Sequence, residues 1–190
     1  MTHYFMIVNE DEFKTRDITM RKQADGTDRG EFNEGVRVSH PVQEPIEIEL
    51  DIPDYPEYIN IPCMWQIPLV LREDLLKDMQ DFGVDNIDAY QAVIRDPQGD
   101  EALTNYFLCN VIGLIDVFDM QASELHPDSP PEVAYLFNKI VIDEKKAKGH
   151  HFFRPYGRMS QLLVSEDLKN HLESKNKYPE LEFISPDEFA

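Results

Sequence analysis

The sequence predicts an α+β fold: a mostly antiparallel sheet with a few amphipathic helices, built around two strand–helix–strand units. Three observations lead there. Short runs alternate or are rich in β-branched and aromatic residues, as in IEIELDI at residues 46–52. Two corners nearly repeat, VLREDLLKDM at 70–79 and LVSEDLKNHL at 163–172. Each is an apolar run, a polar break, Glu-Asp-Leu, then apolar residues at helical spacing. Turn residues punctuate the chain, but no flexible linker divides it, so residues 1–190 read as one domain.

Taken in order, residues 3–8 (HYFMIV) are an opening strand. Such an apolar strand, placed at a sheet edge, invites pairing with a second chain. Residues 9–33 are polar and acidic, with a turn signal in DGTDRG, and suit a long loop or a loose hairpin. VRVS at 36–39 alternates as a short strand does. In IEIELDI, Ile46, Ile48, Leu50 and Ile52 share one face and Glu47, Glu49 and Asp51 the other, giving a half-buried strand or an acidic arm. Residues 53–68 hold four prolines with Tyr55, Tyr58 and Trp65 and read as an extended connection without regular structure.

The first corner follows. Leu75, Met79 and Phe82 fall on one helical face, and Gly83 stands where helices end. Residues 84–94 return as a strand, and DPQGDE makes a turn. The most apolar run, 105–118 (NYFLCNVIGLIDVF), reads as a central strand bent at Gly113. Residues 119–132 are a loop, 133–143 a strand, 144–150 (EKKAKGH) a charged hairpin turn, and 151–155 its partner strand. In the second corner Ser165 is suited to cap a helix. Glu166 and Asp167 favour its positive end by about 0.3–1 kcal/mol each, and Leu168 and Leu172 form the buried face. ELEFIS at 180–185 closes as a strand. The first corner has Arg72 where the second has Ser165, so its cap is weaker or different.

Charge narrows the function. The chain has 37 acidic and 18 basic residues, a formal net charge of -19. That repels nucleic acid and anionic membrane surfaces. Solubility is the plain explanation; a basic partner, steered by the opposite field, is the sharper one. Residues 61–130 hold 13 acids against 3 bases, whereas residues 131–190 hold 10 against 9. A need for solubility alone would spread the charge more evenly. The N-terminus lacks a leader pattern and no run approaches the roughly 18 apolar residues of a membrane span, so a cytoplasmic protein is expected.

Motifs for chemistry are missing. The six histidines and two cysteines form no zinc-type spacing, and no glycine-rich phosphate loop or Gly-x-Ser-x-Gly occurs. Cys63 and Cys109 read as buried free thiols. A metal-dependent hydrolase using Asp116, Asp119 and His126 is one alternative. An acidic adaptor, or nucleic-acid mimic without a dedicated partner, is another. No cofactor or metal is expected, and the residues favour a non-catalytic protein that presents acid.

Several stretches together resemble a family. PLVLREDLLKDMQDFGVDNIDAYQAVI, NYFLCNVIGLIDVFDMQASE, FNKIVID, FFRP and LLVSEDLKNHLE, spanning roughly residues 68–185, are similar to the eleventh numbered immunity family of bacterial polymorphic-toxin systems. Tyr106, Asn110, Val111, Asp116, Asp119 and Ser123, with the later Arg154, carry the likeness. The acidic part at 1–60 matches no pattern of that family. The resemblance implies a non-enzymatic α+β protein that binds and neutralises a secreted toxin, delivered by type VI secretion or a related route. Many such toxins are nucleases with basic surfaces, so an acidic face is expected to mask the active site or the substrate path. The expected partner-binding residues are Asp81, Asp85 and Asp88 near the first helix end, then Asp116, Asp119 and Glu124. Asp116, Asp119 and Ser123, as shared residues, are also expected to hold the fold.

Overall fold

A computed structural model describes residues 3–9, 18–20, 28–50, 61–64, 68–95, 102–130 and 134–189. In chain order the strands are β1 (Tyr4–Asn9), β2 (Ile18–Met20), β3 (Ile46–Leu50), β4 (Cys63–Met64), β5 (Leu69–Arg72), β6 (Ile87–Arg95), β7 (Ala102–Val111), β8 (Leu114–Ile115), β9 (Glu124–Leu125), β10 (Phe137–Lys139), β11 (Phe152–Pro155), β12 (Leu163–Ser165) and β13 (Leu181–Ile184). The helices are α1 (Glu73–Phe82), the single turn α2 (Glu144–Ala147) and α3 (Glu166–Lys175). The predicted α+β class holds, with mostly antiparallel pairing.

The two repeated corners build the same unit. β5 leads into α1 and β6, and both strands pair antiparallel with β7, which lies between them. β12 leads into α3 and β13, and both pair antiparallel with β1, which lies between them. Each helix therefore crosses over a foreign strand. The sheets run β13-β1-β12-β11-β8 and β2-β3-β6-β7-β5-β4, beside a β9–β10 ribbon. Among the described residues, only β3–β6 and β8–β11 pair in parallel.

One core joins both units. Leu75, Leu76 and Met79 of α1 and Leu168 and Leu172 of α3 meet Leu69, Leu71, Cys109 and Val111 from one sheet and Ile7 and Val164 from the other. Full burial of such side chains contributes about 1.5–3 kcal/mol each. The opposite faces are also covered. Phe32, Ile46, Ile48, Val70, Ala92, Ile94 and Leu108 form a second core, and Tyr4, Met6, Phe118, Phe153 and Leu163 belong to a third. Burial on both faces explains why β5 and β7 read as continuous apolar runs rather than alternating ones.

The helix starts differ as their sequences do. Ser165 Oγ accepts from the Leu168 N–H at 3.2 Å. Arg72 makes no side-chain cap; its guanidinium instead donates twice to Asp74, which accepts from the Leu75 N–H at 3.0 Å. Gly83 ends α1 in the left-handed region, φ 118°. Asp78, buried on α1, ties the two units. It accepts from the Tyr178 hydroxyl at 2.7 Å and from Lys177 Nζ at 3.0 Å, with Lys175 Nζ at 3.9 Å.

Several expectations are corrected. The run at 105–118 is not one bent strand. β7 ends at Val111, Gly113 takes φ 99°, and β8 continues in the other sheet beside β11. A positive φ breaks the ladder, so the glycine moves the chain between sheets. Residues 36–39 form no strand, because their backbone serves other partners: the Val36 carbonyl accepts from Asn110 Nδ2 and the neighbouring Gly35 carbonyl from the Gly113 N–H. Among the described residues of the expected 133–143 strand, 134–143, only β10 is a strand, and it pairs with β9 inside the stretch expected as a loop. Residues 151–155 do form a strand, but it pairs with β12 and β8. The charged turn contains α2, capped by Asp143. β4 forms within the proline-rich connection. β1 is an interior strand, so it offers no free edge for a second chain. The rest of the proline-rich connection at 53–60 and 65–67, the turn at 96–101 and most of 9–27 lie outside the described residues.

Two outcomes follow from this packing. A fragment of residues 69–186 lacks β1, the strand joining β12 to β13, and should show no cooperative thermal unfolding by circular dichroism. Asp78→Asn should cost about 1.5–3 kcal/mol at pH 7. Burial works to raise the Asp78 carboxyl, but Tyr178, Lys177 and Lys175 outweigh it and hold it below the usual range. The stabilisation is then complete above the unfolded value of about 3.9 and is lost as pH falls through the lower folded value. In urea titrations the gap between wild type and variant should therefore close in that acid range.

Candidate functional site

The C-terminal half of α1 and its exit toward β6 place the first three candidate acids. Asp81 lies one turn after Lys77 and pairs with it at 2.7 Å, on the exposed face opposite Leu75 and Met79. Gly83 then turns the chain and buried Val84 anchors it. Asp85 projects from this turn and is exposed. Asn86 fixes the turn from below, donating through Nδ2 to the Ile112 and Phe152 carbonyls, both at 3.0 Å. Asp85 thus faces Gly149, His150 and His151 across a shallow cleft of about 70 Å³. Asp88, on β6 opposite Asn110, is half-buried and pairs with Arg37.

The other three acids follow β8. Asp116 is exposed and pairs with Lys146 Nζ at 3.2 Å. Asp119 Oδ1 accepts from the Gln121 and Ala122 N–H groups at 3.0 and 3.1 Å, so its carboxylate closes a turn. Glu124 is exposed on β9. Residues 146–151 touch both groups, through Lys146 on Asp116 and through the cleft wall facing Asp85. Among the described residues, Asp85 and Glu124 make no ion pair.

The hydrolase alternative finds no converging geometry. Asp119 is engaged in its turn, Asp116 with Lys146, and His126 Nδ1 accepts from the Asp128 N–H at 3.2 Å. Among the described residues, no three His, Cys, Asp or Glu side chains are grouped to hold a metal ion. Cys63 and Cys109 are fully buried, and burial pushes the Cys63 thiol up to about 12 and Cys109 in the same direction. Neither is suited to act as a nucleophile near neutral pH. Among the described residues, no helix is long and apolar enough to cross a membrane.

The residues that carried the family likeness hold the fold together. Tyr106 donates its hydroxyl to the Ile61 carbonyl at 2.7 Å. Ser123 Oγ accepts from the Val141 N–H at 2.9 Å. Asn110, fully buried, donates to the Val36 carbonyl at 2.8 Å. Arg154, 1% exposed, donates to the Met159 carbonyl at 2.6 Å and to Asn33 Oδ1 at 3.1 Å. Burial lowers its pKa to about 10, which still leaves it charged near neutral pH. The model of the immunity protein family Imm11 matches residues 69–186.

The chain belongs to the Imm11 immunity protein family.

That match agrees with the resemblance read over 68–185, and family membership implies a protein toxin as partner. Among curated proteins no sequence matches the chain. In this Imm11 member all six candidate acids fall inside the matched region. Residues 28–38 fall outside it yet are clamped to it through Asn33, Gly35 and Val36. The role of Arg154 was not read from the sequence. Its signal was a lone cation inside an apolar strand, between Phe153 and Pro155.

Arg154→Met should lower unfolding free energy by about 2–4 kcal/mol, since it removes two charge-assisted hydrogen bonds from a buried site. Asn110→Ala should lower it by about 1–3 kcal/mol. Chemical denaturation checks both.

Proposed function

We propose that this immunity protein binds its cognate toxin directly and tightly, one to one, and masks the toxin's active site or substrate path with acidic surface. The toxin in this reading is a basic protein such as a nuclease. No catalysis by the immunity protein and no cofactor is required. The observation that carries the reading is the charge imbalance over residues 61–130, most of which lie in the family-matched region: 13 acids against 3 bases.

The local arrangement supports it in three ways. Asp81, Asp85, Asp116 and Glu124 are exposed and open to a partner. The Lys77–Asp81 and Lys146–Asp116 pairs are solvent-screened surface pairs and contribute little. A basic toxin surface displaces them at little cost. The supporting backbone is firm, because Asn86 binds the Asp85 turn to both sheets. Asp78 and Asp119 are occupied inside the protein, so the reading places the partner contact on Asp81, Asp85, Asp88, Asp116 and Glu124.

The test uses the cognate toxin domain, with its active site disabled. Reversing Asp81 and Asp85 to Lys should slow association by about tenfold or more at low salt, with a smaller effect on dissociation. Raising ionic strength should slow the wild type toward the variant, as the Debye length falls below about 10 Å above 0.1 M. A salt-independent association rate, measured by surface plasmon resonance, would remove the electrostatic reading. Lack of any binding, with no rescue on co-expression, would favour an acidic adaptor instead.

A further inference from the structure

A groove of about 370 Å³ lies between α3 and β13, the strand that ends its sheet. Volumes of roughly 300–1,000 Å³ are usual for binding sites. Leu172, Glu173 and Asn176 supply the helix side, Leu181 and Phe183 the strand side. Asn176 stops α3 in the left-handed region, φ 52°, and the chain returns through residues 177–180 as β13. Leu181 and Phe183 alternate with Glu182, so they share the face packed on α3 while Glu182 points the other way. Leu172 and Leu181 are buried and form the floor. Phe183 is half-buried, and Glu173 and Pro179 stand exposed at the rim.

β13 pairs with β1 on one side. Among the described residues no strand pairs with its outer edge, where backbone N–H and C=O groups are open to a further strand. A groove beside an open edge strand is the setting in which an extended peptide adds to a sheet. Backbone bonds hold the peptide, and alternate side chains enter the groove.

Charge selects the occupant. Residues 178–189 hold four acids and no base. The cations nearby are already engaged by the protein itself. Lys169 Nζ lies 5.2 and 5.8 Å from the Phe5 and Phe183 ring centres and pairs with Glu173 at 2.9 Å. Lys175 and Lys177 reach Asp78, and Arg72 pairs with Asp74. Glu182 is exposed and, among the described residues, makes no ion pair. A second copy of this chain would set the acidic edge against itself, and like charges facing across a ladder are destabilising. A strand carrying lysine or arginine gains from the same acids. The groove also adjoins α1: Tyr178, in its wall, donates to Asp78, one turn before Asp81.

We infer that an extended basic segment of the cognate toxin adds to the outer edge of β13. An aliphatic side chain of that segment packs against Phe183 and Pro179, and lysine or arginine side chains lie beside Glu173 and Glu182. The inference rests on the immunity reading and deepens it: the acids near residues 81–88 steer the toxin, and the edge strand holds it.

Amide hydrogen exchange followed by NMR, with the active-site-disabled cognate toxin domain, tests the pairing. The β13 amides that do not bond β1 should exchange quickly in the free protein and at least about tenfold more slowly in the complex. Glu173→Lys and Glu182→Lys change exposed residues and should keep the wild-type unfolding midpoint. Each should weaken binding at least about fivefold, with faster dissociation. Glu34→Lys makes the same charge change at an exposed residue that does not line the groove and should leave dissociation unchanged. Toxin binding without new protection in β13, or with groove variants that dissociate as the wild type does, overturns the strand addition and leaves the immunity reading standing. Failure of wild type to bind overturns both. Outer-edge amides already protected in the free protein also overturn it. Protection that rises with protein concentration assigns the edge to a second copy, and protection at every concentration assigns it to the chain itself.

Discussion

The buried guanidinium of Arg154 joins parts of the chain that are far apart in sequence. It bonds Asn33, 121 residues away, and the carbonyl of Met159 five residues on. Around it, the Gly113 N–H donates to the Gly35 carbonyl at 2.7 Å, and a Cβ on Gly35 would lie 2.7 Å from Leu114 Cγ. Phe32, fully buried, packs edge-on against Tyr90. Among the described residues this buried cation has no carboxylate partner; such a placement is costly, and it persists here because its hydrogen bonds fix two segments in one arrangement. The 28–38 segment thereby becomes a wall of the folded protein, although it lies outside the family-matched region.

The same interdependence holds for the sheets. The family-matched region contains both helices of the repeated corners, yet β1 comes from outside it and fills the gap between β12 and β13. The two crossover units share one core, and Asp78 fastens α1 to the end of α3. The repeated Glu-Asp-Leu signature is thus a structural device: acids serve the helix starts and leucines the shared core. The acids available to a partner are the ones this device does not consume.

Legibility in the sequence followed the range of the interactions. The helix corners, the Ser165 cap and the Gly83 stop depend on neighbours within a few residues, and all were readable. The apolar run through Gly113 was readable as strand, but not as two strands in different sheets, since periodicity does not say which sheet a strand joins. Val36 alternates with Val38 as a strand would, yet its carbonyl is taken by Asn110, 74 residues away. Among the acids, composition exposed the excess but not the roles. Asp78 and Asp81 look alike in sequence, and it is distant partners, Lys177 and the Tyr178 hydroxyl 99 and 100 residues away, that mark Asp78 as internal. The groove beside β13 depends on sheet order and left no local signal.

The proposed function puts the toxin-facing surface around residues 81–88, and charge, family membership and the exposed acids of the α1–β6 turn support that proposal. Hydrogen–deuterium exchange on the complex with the cognate toxin domain tests that placement most directly. The account predicts slowed amide exchange at residues 81–88 and 116–124 on toxin binding, beyond their values in the free protein. A bound toxin that leaves exchange at both segments unchanged would contradict it.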